Sequence, residues 1–271
     1  MNRYTVLGAS GFVGGALARV LREGGAQVCT PARGESLAGR ELGHVFYCIG
    51  MTADFRRWPF HTVKAHVSVL ADVLEHASFQ SLLYLSSTRV YSGVEETQED
   101  VPLPISPMDG SDLYNASKLL GEALCLNCGR PGVRVVRLSN VVGYDPGSEN
   151  FLTTLVRDAL AGEVRLATGL TSSKDYIALD DVLMLLPQIA LAGRETLYNV
   201  ARGRNLTHQD ICGVLQRITG CQLKVANGAE SLRFPEIDVS RIGREFAFRA
   251  ADPLLLLPSI IDQWRSGRVA R

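Results

Sequence analysis

The chain opens on a short apolar run, "RYTVL", that stops at Gly8. A different rhythm follows at once. In "GFVGGALARVLREGG" the apolar residues Phe12, Val13, Leu17, Val20 and Leu21 return at helical spacing. The alternation then repeats. "AQVCT" and "HVFYCIG" read as strands, and "HTVKAHVSVLADVLEHAS" as a helix with a stripe of Val63, Val67, Leu70 and Leu74. "SLLYLSS" is a strand, "SDLYNASKLLGEALCL" a helix and "VRVVRLSNVVG" a strand. Continuous apolar strands separated by amphipathic helices predict an α/β fold with a parallel sheet covered on both faces.

The pattern after residue 143 is less regular. "ENFLTTLVRDALAGE" and "DDVLMLLPQIALAG" read as helices, the second capped by Asp180 or Asp181. "ETLYNVA" is a strand. "LTHQDICGVLQRITG" is a helix with Thr207 as N-cap and Gly220 as its stop, and "DPLLLLPSIIDQWRSG" is the last helix. The expected plan is a dinucleotide-binding core over 1–143, rejoined by 174–200, with a small C-terminal substrate-binding lobe from 144–173 and 201–271. Such a lobe would lie over the carboxyl ends of the strands, where ligands bind in open α/β sheets. Between Pro31 and Gly43 only 13 residues separate two strands. A crossover unit alone takes about 10–12 residues, so the sheet is expected to lack a usual edge strand or to keep only a vestige of it.

Composition narrows the function classes. Formal net charge is zero, which leaves no basic footprint for nucleic acid or an anionic membrane surface. The longest apolar stretches, "VLMLLPQIALA" and "PLLLLPSII", are short and contain Pro, so no bilayer span is expected. The first strand starts too early to leave room for a signal peptide, and the chain reads as soluble and cytoplasmic. Cys125 and Cys128 form one C-x-x-C late in a helix, with no second pair to complete a zinc site. His61 and His66 are five apart, a poor match to one coordination face, so no metal is expected.

"GASGFVG" places Gly8, Gly11 and Gly14 between a strand and a helix, the context a dinucleotide-binding turn requires. Gly8 permits the tight turn, Gly11 lets backbone approach a pyrophosphate, and Gly14 lets the helix pack closely on the sheet. Ser10, Phe12 and Val13 complete this cofactor-binding segment, whose helix N-terminus offers free amides and partial positive charge. The predicted fold is therefore a Rossmann-type doubly wound sheet. The acidic residue that would hold the adenosine ribose is replaced in "CTPARG" by Ala32, followed by Arg33. A guanidinium pairs well with a 2′-phosphate, so NADP is favoured as cofactor, with NAD the alternative.

"YLSSTRVYS" ends a strand on hydroxyls, and "YNASK" puts Tyr114 and Lys118 at i and i+4 on one helix face. With "GASGFVG", "RLSNVVG", "KDYIALDDV" and "LYNVA" in this order, the chain resembles the extended short-chain dehydrogenase/reductase family, in particular its sugar-nucleotide epimerases, dehydratases and ketoreductases. The resemblance covers most of the chain. It implies Tyr114 as acid/base, Lys118 beside it to favour the phenolate, and Ser87 as the hydroxyl that hydrogen-bonds the same substrate oxygen. Tyr114 and Lys118 would also meet the cofactor. A free Tyr has a pKa of about 10, so a neighbouring cation is needed for base chemistry near neutrality. The chain has four Lys against 24 Arg, and one of the four stands at this position.

The departures also carry information. Family dehydratases follow the catalytic hydroxyl with an Asp–Glu pair, and here Thr88 and Arg89 stand there, which argues against dehydration. By offset, Lys64 takes the place of an Asn common in the family. Thr88, Asn140, Lys174 and Arg57 are the expected substrate contacts, Asn140 and Lys174 toward the diphosphate of a nucleotide sugar. The expected activity is hydride transfer on a nucleotide-activated sugar, ketoreduction slightly favoured. The alternatives are epimerisation without net redox, reduction of a non-nucleotide ketone, or a non-catalytic NADP-sensing protein. The resemblance also implies a homodimer formed through helices flanking the sheet, the Tyr114 helix among them.

Overall fold

The structure is a computed structural model that describes residues 2–51 and 55–269. Strand β1 (Arg3–Leu7) leads through the glycine turn to α1 (Phe12–Glu23), then β2 (Gln27–Cys29) and β3 (His44–Tyr47). Helix α2 (Pro59–Val63) runs through a single π-helical turn, Lys64–Ser68, into α3 (Val69–His76). Strand β4 (Ser81–Ser87) ends in a 3₁₀ turn over Thr88–Tyr91, and α4 (Asp112–Asn127) and β5 (Val133–Leu138) follow. The remaining elements are β6 (Asn140–Val142), α5 (Phe151–Ala161), β7 (Glu163–Leu166), β8 (Ser173–Ala178), α6 (Leu179–Ala192), β9 (Leu197–Val200), β10 (Asn205–Thr207), α7 (His208–Thr219), β11 (Gln222–Val225), α8 (Ser240–Phe246) and α9 (Leu257–Val269).

Six strands form one parallel sheet in the order β2-β1-β3-β4-β5-β9. The order reverses beside β1, and that switch point places the glycine turn and the end of β3 side by side at the carboxyl edge. The sheet stops at β2. Residues 30–43 add no strand beyond it and make only an isolated bridge, Glu41 to Ser78. The strands are apolar throughout because both faces are covered. On one face Leu17 and Ala18 of α1 and Val182, Leu185, Leu186 and Ile189 of α6 pack against Val6, Phe46, Leu83 and Val136. On the other, Leu70, Val73 and Leu74 of α3 and Cys125 of α4 pack against Val45, Tyr47, Leu82, Tyr84 and Val135.

"VRVVRLSNVVG" is two strands rather than one. β5 stays in the main sheet, whereas β6 leaves it and pairs with β8, itself paired with β10. β7 and β11 form a separate parallel pair. A second apolar cluster links α5, α7 and α9 through Leu152, Val156, Ile211, Leu215, Leu257 and Ile261. Thr207 and Asp210 form a reciprocal capping box on α7, and Gly220 ends that helix with a left-handed φ of 72°. Helix α6 is capped differently from expectation. Its N-cap is Ala178, Asp180 and Asp181 lie in the first turn, and the Asp181 carboxylate accepts from the Ala251 amide at 2.8 Å.

Candidate active site

The glycine turn has the shape its spacing requires. Gly8 has a φ of +85°, and a Cβ there would stand 2.8 Å from the Cys48 carbonyl carbon. A Cβ on Gly14 would stand 2.5 Å from the Gly8 oxygen and 3.1 Å from Cys48 Cβ. Gly14 therefore lets α1 sit directly on β1 and β3. Gly11 differs, because a Cβ there would meet only the Gly8 oxygen, at 3.4 Å. It is the N-cap of α1, no side chain caps that end, and no acidic residue lies in the first turn. An open cradle of free amides at a helix N-terminus fits a dinucleotide pyrophosphate. Ser10 is exposed, Val13 packs against the main core, and Phe12 stands against Gly143, where a Cβ would come within 2.9 Å of the Phe12 ring.

At the end of β2 the tertiary structure adds something absent from the linear reading. Glu35 folds back so that its carboxylate accepts from the Ala32 amide at 2.9 Å and pairs with Arg40. A carboxylate thus stands at the position where the sequence shows none, already engaged by an amide and a guanidinium that hold its pKa below the ordinary value. Arg33 beside it is exposed.

The carboxyl end of β4 and the first turns of α4 meet next to that cradle. Tyr114 is 5% exposed and packs between two rings, Phe55 at 5.4 Å and His66 edge-on at 5.4 Å. Ser87, the last residue of β4, lies beside the phenol. Its Oγ also accepts from the Arg89 amide at 3.2 Å, which fixes the 3₁₀ turn that follows. Burial raises the Tyr114 pKa, and the Ser87 hydroxyl and then the Arg89 guanidinium pull it back.

Lys118 is buried one turn on. Its Nζ donates to the Leu85 carbonyl at 2.8 Å and stands 6.0 Å from the centroid of the Tyr114 ring. Burial pushes its pKa down to about 8, against the opposing pull of Glu122 and Cys48. A Cβ on Gly50, just past β3, would come within 3.5 Å of Lys118 Nζ and 3.4 Å of His66 Nε2. The backbone at the end of β3 is thus the floor that joins glycine turn and phenol. Gly121 has the same use one turn further along this face of α4, where any side chain would overlap the Tyr84 hydroxyl. A buried network holds this arrangement. Glu122 accepts from Ser86 at 2.5 Å and pairs with Arg137 at 2.8 Å, and Arg137 donates to Tyr91 at 2.6 Å. That accounts for Arg137 of "RLSNVVG": it ties β5 to α4 and to the turn after β4.

From the helix before β4, the side chain that reaches the site is His66. Lys64 is exposed. His66 is fully buried, its Nε2 accepts from the Met51 amide at 3.1 Å, and its Nδ1 lies 2.8 Å from Ser117 Oγ. An imidazole that accepts at Nε2 carries its proton at Nδ1, so it donates to Ser117, which donates in turn to the Tyr114 carbonyl at 2.8 Å. Burial and the Lys118 charge push the His66 pKa down to about 3, so the ring is neutral. The apolar stripe had pointed elsewhere. The π turn rotates the face: Thr62, His66, Leu70 and Val73 are buried, while Val63 is 37% exposed. An i, i+4 count back from Leu70 finds His66, but a period of 3.6 carries no sign of the extra residue.

The other expected substrate contacts scatter around this centre. Thr88 is buried in the 3₁₀ turn. Asn140 is exposed and donates to the Asp175 carbonyl at 2.8 Å. Lys174 is half-buried, with its ammonium over the Phe234 ring at 5.1 Å. Arg57 lies over Trp58 at 5.4 Å. Its neighbour Arg56 packs on Phe55 and donates to Ser111 at 2.6 Å, tying that loop to α4. The six cysteines are free thiols, and among the described residues no His, Cys, Asp and Glu cluster could hold a metal. No described helix is long and apolar enough to cross a membrane.

The chain is similar in fold to several solved structures. TunA, titled an NAD-dependent NDP-hexosamine 5,6-dehydratase, superposes with a TM-score of 0.85 at 20% identity, covering 98% of each chain. MoeE5 in complex with UDP-glucose and NAD gives 0.84 at 20%, covering 98% of this chain and 99% of that one. RMD from Pseudomonas aeruginosa, complexed with NADPH, gives 0.78 at 21%, covering 98% and 99%. At these identities the likeness is one of fold. No curated protein matches the chain. The NAD dependent epimerase/dehydratase family matches residues 44–201, from β3 through the Tyr114 helix to the end of β9. That span is more than half of the sequence and holds Ser87, Tyr114 and Lys118, and the chain belongs to the NAD-dependent epimerase/dehydratase family.

Proposed function

We propose that the protein is an NAD(P)-dependent ketoreductase acting on a nucleotide-activated sugar. The observation that carries this reading is the meeting of Ser87, Tyr114 and Lys118 beside an open glycine cradle at the switch point of the sheet. The amides of Phe12 to Gly14 and the side chains of Arg33 and Lys118 would hold the dinucleotide. When bound, its nicotinamide supplies the hydride. Tyr114 gives its proton to the substrate carbonyl oxygen, and Ser87 donates a hydrogen bond to the same oxygen. Ser87 and Arg89 then stabilise the phenolate left behind. A pKa raised above the ordinary value keeps the proton on Tyr114 at neutral pH, which suits a reaction that begins by donating it. An exposed Arg33 beside an already neutralised Glu35 favours NADPH.

The test is NADPH consumption at 340 nm with 4-keto nucleotide sugars. Stoichiometric oxidation is expected, and Tyr114→Phe should lower turnover by about 10²–10⁴-fold while leaving NADPH binding intact. Interconversion of two sugar isomers with no net absorbance change would replace ketoreduction with epimerisation. Unchanged turnover in Tyr114→Phe would remove the proton donor from the mechanism.

A further inference from the structure

The residue two past Ser87 has a chemistry that the proton transfer does not use up. Arg89 is half-buried, with its guanidinium carbon 5.6 Å from the centroid of the Tyr114 ring and 5.1 Å from that of Phe55. Its Nε is buried without a partner, and among the described residues no carboxylate pairs with it. Among the described residues, the acids that act on it are already engaged by other donors. Asp112 accepts from the Ser106 amide at 2.8 Å and from Asn115 at 2.9 Å, and Asp109 accepts from the Ser111 amide at 2.7 Å. Asp112 and Asp109 therefore favour its charge only through space, and nearby cations oppose it. Arg56 lies on the same Phe55 ring, and Lys174 is close enough for its ammonium to be disfavoured by Arg89. A guanidinium partly held out of water with no carboxylate paired to it directly is unfavourable unless an anion completes it.

Its place decides which anion. A substrate oxygen bonded to both Tyr114 and Ser87 puts the reacting carbon beside the 3₁₀ turn. A group on the next ring carbon, or one further, then reaches Arg89. We infer that Arg89 receives a carboxylate carried by the sugar ring, so that the substrate class is a nucleotide-activated uronic acid or another acidic sugar. The planar fork of Arg suits a bidentate carboxylate. The carrier diphosphate is the other anion at hand, and the test separates the two. The inference rests on the nucleotide-sugar reading above.

The experiment is calorimetric titration of the cofactor-saturated protein and of its Arg89→Gln and Arg89→Lys variants. The titrants are UDP-glucuronate, UDP-glucose and UDP, with the mannuronate, mannose and free-nucleotide set of GDP alongside. In one series the acid should bind the native protein about tenfold or more tighter than the neutral sugar. Arg89→Gln should bring that ratio near one, Arg89→Lys should keep part of it, and the free nucleotide should bind all three proteins alike. Equal binding of acid and neutral sugar to the native protein overturns the inference and leaves the nucleotide-sugar reading standing. So does an Arg89→Gln variant that loses UDP or GDP as strongly as the acid, which would move Arg89 to the diphosphate. No binding in either series overturns both readings. If Arg89→Gln does not fold, Arg89→Lys and the native acid-to-neutral ratio decide.

Discussion

Lys118 is held charged in a place that disfavours charge, and replacing it should leave the protein no less stable at neutral pH. Its pKa falls from 10.5 to about 8. Each unit corresponds to about 1.4 kcal/mol, so the buried ammonium costs about 3 kcal/mol of folding stability at pH 7. Lys118→Met removes that term. It also removes the hydrogen bond to Leu85, a loss of about 1.5–3 kcal/mol for a charged donor. Glu122 keeps Arg137 and Ser86 as partners, so no buried carboxylate is stranded. The net expectation is a variant equal to the native protein at pH 7 or up to about 1.5 kcal/mol more stable. The balance should turn against the variant as pH rises. As pH passes about 8 the native lysine releases its proton, while the unfolded chain keeps it up to about 10.5. In that window the unfolded state binds more protons, so native stability rises and the variant, lacking the Leu85 bond, becomes the weaker of the two. Urea midpoints at pH 7, 8.5 and 9.5, with turnover measured in parallel, provide the check. A difference that stays constant across this range, or a variant already less stable at pH 7, would refute the reasoning. Turnover should be lost at every pH.

Three other outcomes test separate parts of the structure. His66, pushed down to about 3, refuses a proton that the unfolded chain accepts below 6.5, so stability should fall by about 2 kcal/mol between pH 6.5 and 5; His66→Asn should flatten that part of the midpoint profile. Gly14→Ala drives a Cβ to 2.5 Å from the Gly8 oxygen and should unfold or severely destabilise the protein, whereas Gly11→Ala, with only a 3.4 Å neighbour, should melt near the native temperature yet bind dinucleotide about tenfold or more weakly. Arg33→Ala should raise the Kd for NADPH about tenfold and leave that for NADH unchanged, read by cofactor fluorescence; an equal effect on both would take Arg33 away from the 2′-phosphate.

What the sequence determined by itself was local. The period of its apolar positions set the strands and helices of the main sheet, because a buried parallel strand and an amphipathic helix each impose their own spacing. The glycine spacing was legible for the same reason, since Gly8 and Gly14 are required by contacts within one strand–turn–helix unit. The i, i+4 spacing placed Tyr114 and Lys118 on one face of α4. The short interval after β2 gave away the missing edge strand through chain length alone. What only the tertiary structure decided depends on residues far apart in the chain. The π turn that brings His66 to Tyr114 leaves no trace in a 3.6-residue period. Glu35 returns to the end of β2 through a loop fold, and β6 changes sheets because β8 offers it a partner. Arg89 could be read as a missing acid, but its place between Phe55 and Tyr114, with no carboxylate paired to it among the described residues, comes from contacts between segments far apart in the chain. Local spacing reports what one element needs, and a charge left without a partner is visible only once every element has found its neighbours.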